Sequence, residues 1–249
     1  MHNCKEQITD PLIFLTKGLK YIRENKWIWK YIFIAIGVGL ILFIILSIVI
    51  ISTISWILDY TFAQLGVSAG GVWESLILIL VYIISFVLAG RLFLSVNNIV
   101  NAPVYGEMAE EFLHRNNVKA IREYSLIKNI LRSIFFELKK IFLIFLLLVL
   151  TLLLNLIPVL GQILTIVFAI FQIILFAGLD FFDPYLSRKN YRFRSKVKFV
   201  LGKPYKHYPF LLIAGFITSL PVFNIIFLPT FIVSGLLLAN EEERTNLTA

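Results

Sequence analysis

Four long runs of uncharged, apolar residues, separated by connections rich in Lys and Arg, limit this chain to one environment. The first run extends from Tyr31 to Leu58 without a charge. As an α-helix it would be roughly 42 Å long, against a hydrocarbon core about 30 Å thick. Trp27, Trp29 and Tyr31 stand at its start and Trp56 and Tyr60 near its end, the aromatic belt of a helix touching both interfaces. With 59% hydrophobic and 15% charged residues, the apolar surface exceeds what a single water-facing core can hide, so lipid must cover the surplus. The expected fold class is an all-α integral membrane protein.

The placement of charge sets the expected topology. Lys5, Lys17, Lys20, Arg23, Lys26 and Lys30 precede the first span, 31–58, whereas the connection 59–74 carries no Lys or Arg. A second span, 75–100, is interrupted only by Arg91 and is followed by Arg115, Lys119, Arg122, Lys128, Arg132, Lys139 and Lys140. The positive-inside rule puts both ends of this pair in the cytoplasm and the short connection, with Gly66, Gly70 and Gly71, outside. The first 30 residues then form a basic cytoplasmic N-terminus. In the cytoplasmic region 101–140, Ile127, Ile130, Leu131, Ile134, Phe135, Leu138 and Ile141 recur at helical spacing, as in an amphipathic helix running into the third apolar block. Net charge is +8, but no groove-reading or stacking motif accompanies it, so nucleic acid is not an expected partner. No cleavable signal peptide is expected, because the first apolar run starts late and is too long for one.

The third block, 141–179, is broken in its middle by Asn155, Pro158, Gly161 and Gln162, and beyond it lies a basic loop, 183–206. Both flanks are therefore expected in the cytoplasm, and the chain must turn back between them. Its two arms are at the lower edge of spanning length, and both a pair of short crossing helices and a re-entrant pair fit them. The fourth block, 208–240, repeats the design around Leu220-Pro221-Val222-Phe223-Asn224. Its first arm, Phe210 to Leu220, is too short to span, which favours a partly inserted hairpin whose free backbone groups are covered by protein.

No nucleophile elbow, zinc motif or phosphate-binding glycine loop appears, so no enzyme, cofactor or metal is expected. Cys4 is the sole cysteine, and His2, His114 and His207 lack ligand spacing. Asp180 and Asp183 read as helix-terminal and turn carboxylates in front of Pro184. Arg91, the one formal charge inside a span, reads either as a snorkelling side chain or as part of an anion pathway. The cationic stretch from Lys17 to Lys30 likewise has two readings. It is either positive-inside anchoring or an oxyanion site made of lysines and the free N–H groups of a helix start.

Several segments together resemble the CysZ sulfate permease family. Asn101-Ala102-Pro103-Val104-Tyr105-Gly106-Glu107-Met108-Ala109-Glu110 is similar to that family's Ala-Pro-Phe…Leu-Ala-Glu segment. Ile157-Pro158-Val159-Leu160-Gly161-Gln162, Leu179-Asp180-Phe181-Phe182-Asp183-Pro184 and Leu220-Pro221-Val222-Phe223-Asn224 follow in the family's order. The likeness runs from about Phe14 to Asn240, and the broader grouping includes the eukaryotic etoposide-induced membrane proteins. It implies a bacterial inner-membrane protein with both termini cytoplasmic. Two long transmembrane helices, two Pro-centred, partly inserted helical hairpins and assembly into a homo-oligomer would go with it. The implied activity is transport of sulfate or a related oxyanion into the cell. The family's sulfate stretch, Gly-(Ile/Leu)-Arg-Arg, corresponds to Trp27-Ile28-Trp29-Lys30, where Lys30 keeps one charge and Lys26 stands nearby. Lys26, Lys30 and Arg91 are the candidate anion contacts. A non-transporting scaffold or regulator of the same fold is the alternative.

Overall fold

A computed structural model describes residues 11–65, 72–118, 126–157 and 160–247, with the side chains of 11–12, 58–59, 61–65, 72–92, 126, 129 and 246–247 left aside. The described residues form eight α-helices with short non-helical turns between them: α1 (Pro11–Glu24), α2 (Trp27–Leu65), α3 (Val72–Arg115), α4 (Leu126–Leu154), α5 (Leu160–Arg188), α6 (Phe193–Gly202), α7 (Pro204–Thr218) and α8 (Pro221–Leu247). The glycines at 66, 70 and 71 and the turn centre Pro158-Val159 lie outside the described residues.

Several helices are longer than the apolar runs inside them. The 44 residues of α3 pass straight through Pro103, joining the second apolar block to the segment that carries Tyr105, Met108 and Phe112. An internal proline costs one backbone hydrogen bond and a local clash. Here the following turn is held by burial, since Met108, Ala109, Phe112 and Leu113 are fully enclosed. By the same logic α5 continues through Pro184 to Arg188, with Phe181, Phe182, Tyr185 and Leu186 buried on either side. Asp180 and Asp183 are therefore not helix-terminal residues. Pro204 and Pro221 play the opposite part and begin α7 and α8, where a missing N–H costs nothing.

Helix α5 is the hub, packed against α3, α4, α6, α7 and α8. Phe181 in its C-terminal third meets Phe210 of α7 at 5.8 Å and Phe231 of α8 at 5.7 Å between ring centroids. Gly235 of α8 lies against the main chain of α5, and a Cβ there would stand 2.6 Å from the Phe181 carbonyl oxygen. The end of α4 and the start of α5 are equally close. A Cβ on Gly161 would sit 2.0 Å from the Leu154 carbonyl oxygen, and Asn155 Nδ2 donates to both Thr151 O and Thr165 Oγ1. Helix α1 packs on α8 and α7, and α2 leans on α3 and α8.

Three helices are long and apolar enough to cross a membrane among the described residues: α2 over Trp27–Ile57, α5 over Leu160–Arg188 and α8 over Pro221–Thr245. By composition the chain is a multi-pass membrane protein. Helix α7, with 15 residues, is about 22 Å long and falls short of a full crossing.

Candidate functional site: a cationic elbow and a buried ionic cluster

Helices α1 and α2 meet at a one-turn elbow. Asn25 accepts at its carbonyl from Ile28 N at 3.1 Å, Lys26 does the same from Trp29 N at 3.3 Å, and Asn25 Nδ2 donates to Tyr21 O at 3.0 Å. Lys26 lies in the turn and Lys30 in the first turn of α2, and both are exposed. The Lys30 ammonium stands 4.5 Å from the Tyr31 ring centroid. Neither lysine forms an ion pair among the described residues. The end of α3 reaches the same place. Arg115 lies over the Trp27 ring at 5.2 Å and pairs with Glu111 at 2.6 Å, while Asn116 Nδ2 donates to the Tyr21 hydroxyl at 3.2 Å. The sequence marks Arg115 only as one of a run of basic residues, because nothing local reveals that α3 ends beside Trp27. Arg91 belongs to α3, but its side chain is outside the described residues.

Away from the elbow, charges that the sequence assigns to a surface are buried between helices. On α5, Asp180, Asp183 and Ser187 follow helical spacing along one face, opposed by Arg132, Glu137 and Lys140 of α4 and Lys196 of α6. Lys140 Nζ stands 2.5 Å from Asp180 Oδ1 and 2.9 Å from Glu137 Oε1. Asp183 binds Lys196, accepts from Ser187 Oγ at 2.9 Å and has Arg132 Nη2 at 3.5 Å. Three cations thus face three carboxylates. Nearby, Arg188 Nη1 reaches Glu110 at 3.0 Å and its Nε donates to Gly106 O at 3.2 Å, stitching α5 to α3. A cavity of about 30 Å³ sits inside the cluster, lined in part by Asn98, Tyr105, Ser133 and Glu137, room for roughly one water.

Burial pushes the Glu137 carboxyl up to about 7, against the opposing pull of Lys140 and with a further push from Asp180. Burial likewise holds the Lys196 ammonium below its ordinary value, with Asp183 resisting and Arg132 and Lys139 adding to the shift. Removing one member of such a cluster strands its partner in a low-dielectric site, at a cost of about 3–5 kcal/mol. The cluster therefore cements α4, α5 and α6, and its cations are already matched.

Two further polar networks cross the interior. Asn101 Nδ2 donates to Asn97 Oδ1 at 2.8 Å, Asn97 Nδ2 to Asn224 Oδ1 at 3.1 Å, and Asn224 Nδ2 to Thr218 O at 3.1 Å, tying α3 to the α7–α8 turn. His207, fully enclosed between the Phe182 and Phe199 rings, has Glu242 Oε2 at 3.1 Å, and Glu242 also takes Lys203 at 3.1 Å. No group of three metal-ligating side chains occurs among the described residues.

Among the described residues, positive charge without a carboxylate partner stands at the elbow, whereas the cations of the buried cluster are matched. The class is thus a polytopic helical membrane protein with an open cationic elbow at the start of the least buried of its three candidate spans. The family model for Sulfate transporter CysZ/Etoposide-induced protein 2.4 matches residues 14–229, most of the chain, and the chain belongs to that family. The family includes the CysZ sulfate transporters. Among curated proteins, none matches the chain.

Proposed function

We propose that this protein carries sulfate or a related oxyanion across the membrane into the cytoplasm, with Lys26 and Lys30 as first anion contacts and Arg91 as a further one. What carries the reading is the pair of exposed lysines at the start of α2, without a carboxylate partner among the described residues, in a family that includes sulfate transporters. Two ammonium groups beside the positive end of a helix dipole favour a compact oxyanion. In this reading α2 and α3 cross the bilayer fully. The apolar blocks 141–179 and 208–240 insert as two hairpins, both termini face the cytoplasm, and several copies assemble in a bacterial inner membrane.

Uptake of labelled sulfate into proteoliposomes is the test. Native protein fills vesicles above the empty-vesicle baseline, and Lys30→Ala raises the half-saturating sulfate concentration roughly ten-fold, the worth of one charge-assisted hydrogen bond. Uptake no better than empty vesicles, or unchanged by Lys26→Ala and Lys30→Ala together, overturns it. A non-transporting scaffold is the second reading, favoured by Trp27 and Trp29 standing where the family's sulfate stretch has Gly and Arg. It calls for anion-tight vesicles and for a partner captured through the basic segment 188–206.

A further inference from the structure

Adjacent lysines on α4 part company. Lys140 turns inward to Asp180 and Glu137, whereas Lys139 turns outward to a groove of about 360 Å³ between α4 and the start of α6. Around Lys139 the groove is lined by Phe135, Leu138, Phe142, Leu143, Leu146 and Phe193, so Lys139 is its sole charge. Its floor is fixed, because the Phe193 ring meets Phe136 edge-on at 5.7 Å. Arg192 and Arg194 flank Phe193 in sequence and are exposed, as is Lys198 one turn further along α6. Among the described residues none of these four cations has a carboxylate partner, in contrast to the half-buried Arg132 and the buried Lys140 and Lys196.

We propose that this groove holds an acyl chain of an anionic phospholipid whose phosphate rests on Lys139 and Arg194. The apolar part follows α4 from Phe135 to Leu146, into the uncharged run that ends at Leu154, so the occupant has a long apolar tail lying along the helix. The end beside α6 offers cations without counter-charge, so the occupant's head is anionic. A choline-headed lipid supplies no net charge there. A second copy of a chain with 23 Lys and Arg against 15 Asp and Glu brings more of the same sign. Basic residues beside an anionic headgroup each contribute modestly and are screened by salt. The site stands apart from the elbow and does not depend on what the protein transports.

The test uses the delipidated full chain in detergent micelles, titrated with phosphatidylglycerol or phosphatidylcholine of identical acyl chains and followed by native mass spectrometry. One phosphatidylglycerol is retained per chain, preferred roughly 30-fold over phosphatidylcholine at low salt. The preference vanishes in Lys139→Gln with Arg194→Gln, and it persists in a control carrying Lys17→Gln with Lys20→Gln. All the substituted side chains are exposed, and an unchanged thermal melt verifies that each variant folds. Equal retention of the two lipids by native protein, or a preference that survives the Lys139/Arg194 pair, overturns the proposal. So does a lipid-free dimer that dissociates on Phe142→Asn, which would give the groove to a second copy.

Discussion

Helices α2 and α8 look alike as sequences and live in different surroundings. Over its apolar window 11% of α2 is buried inside the protein, against 67% for α8. Ile41, Ile44, Ile45 and Ile48 of α2 face outward, whereas Phe231, Ile232, Leu236 and Ala239 of α8 are enclosed. Both windows are strongly hydrophobic, so hydropathy measures the right to enter a bilayer and says nothing about whether lipid or protein fills the surroundings. What distinguishes α8 is the small and polar content of its packed face, Gly235 and Ser234 above all, which lets α1 and α5 approach closely.

The largest effect that would break this contrast comes from the core. Leu236→Ala, at a fully enclosed position, is expected to cost about 2–5 kcal/mol, while Ile48→Ala on exposed α2 stays within about 0.5 kcal/mol. Unfolding in mixed micelles measures both, and equal costs would mean that α2 is covered by protein after all. Next comes backbone proximity. Gly235→Ala drives a methyl against the Phe181 carbonyl and is expected to cost about 1–3 kcal/mol, whereas Gly37→Ala on α2 meets nothing within 4 Å and is neutral to slightly stabilising. A third contrast is one of pH. Glu137 has a folded pKa of about 7 against an ordinary 4.5, so between those values the folded state binds more protons than the unfolded one. Stability contributed by Glu137 is complete below about 4.5 and is lost as pH rises towards 7. Thermal melts across that window should flatten in Glu137→Gln, and an unaltered slope would assign the dependence to another group.

Membrane class, family and helical content are legible in the residues, because charge density and apolar run length act directly through the cost of transfer into lipid. The ionic cluster is not, and Pro184 is the reason. A proline ends a helix when the lost hydrogen bond and the ring clash go uncompensated. The burial of Phe181, Phe182, Tyr185 and Leu186 compensates them, so α5 runs on and carries Asp183 and Ser187 into the interior. A signal was present, since Asp180, Asp183 and Ser187 share a helical face, as do Ser133, Glu137 and Lys140. Recognising it requires knowing that α4, α5 and α6 meet, and no local pattern encodes that. For the candidate anion site, Lys26 and Lys30 were visible as charges. Arg115, brought to Trp27 by the long run of α3, was not.

The elbow has a mechanical consequence. Helix α1 is bolted to α8 where Gly18 faces Ser234, so the first turn of α2 takes its position from the protein core rather than from the headgroups. At 39 residues α2 is roughly 58 Å long, nearly twice a hydrocarbon core. A change in bilayer thickness is therefore absorbed by tilt at the distant end of α2, around the stacked Trp56 and Tyr60. Lys26 and Lys30 stay in register with Arg115, and the elbow keeps its shape from one membrane composition to another.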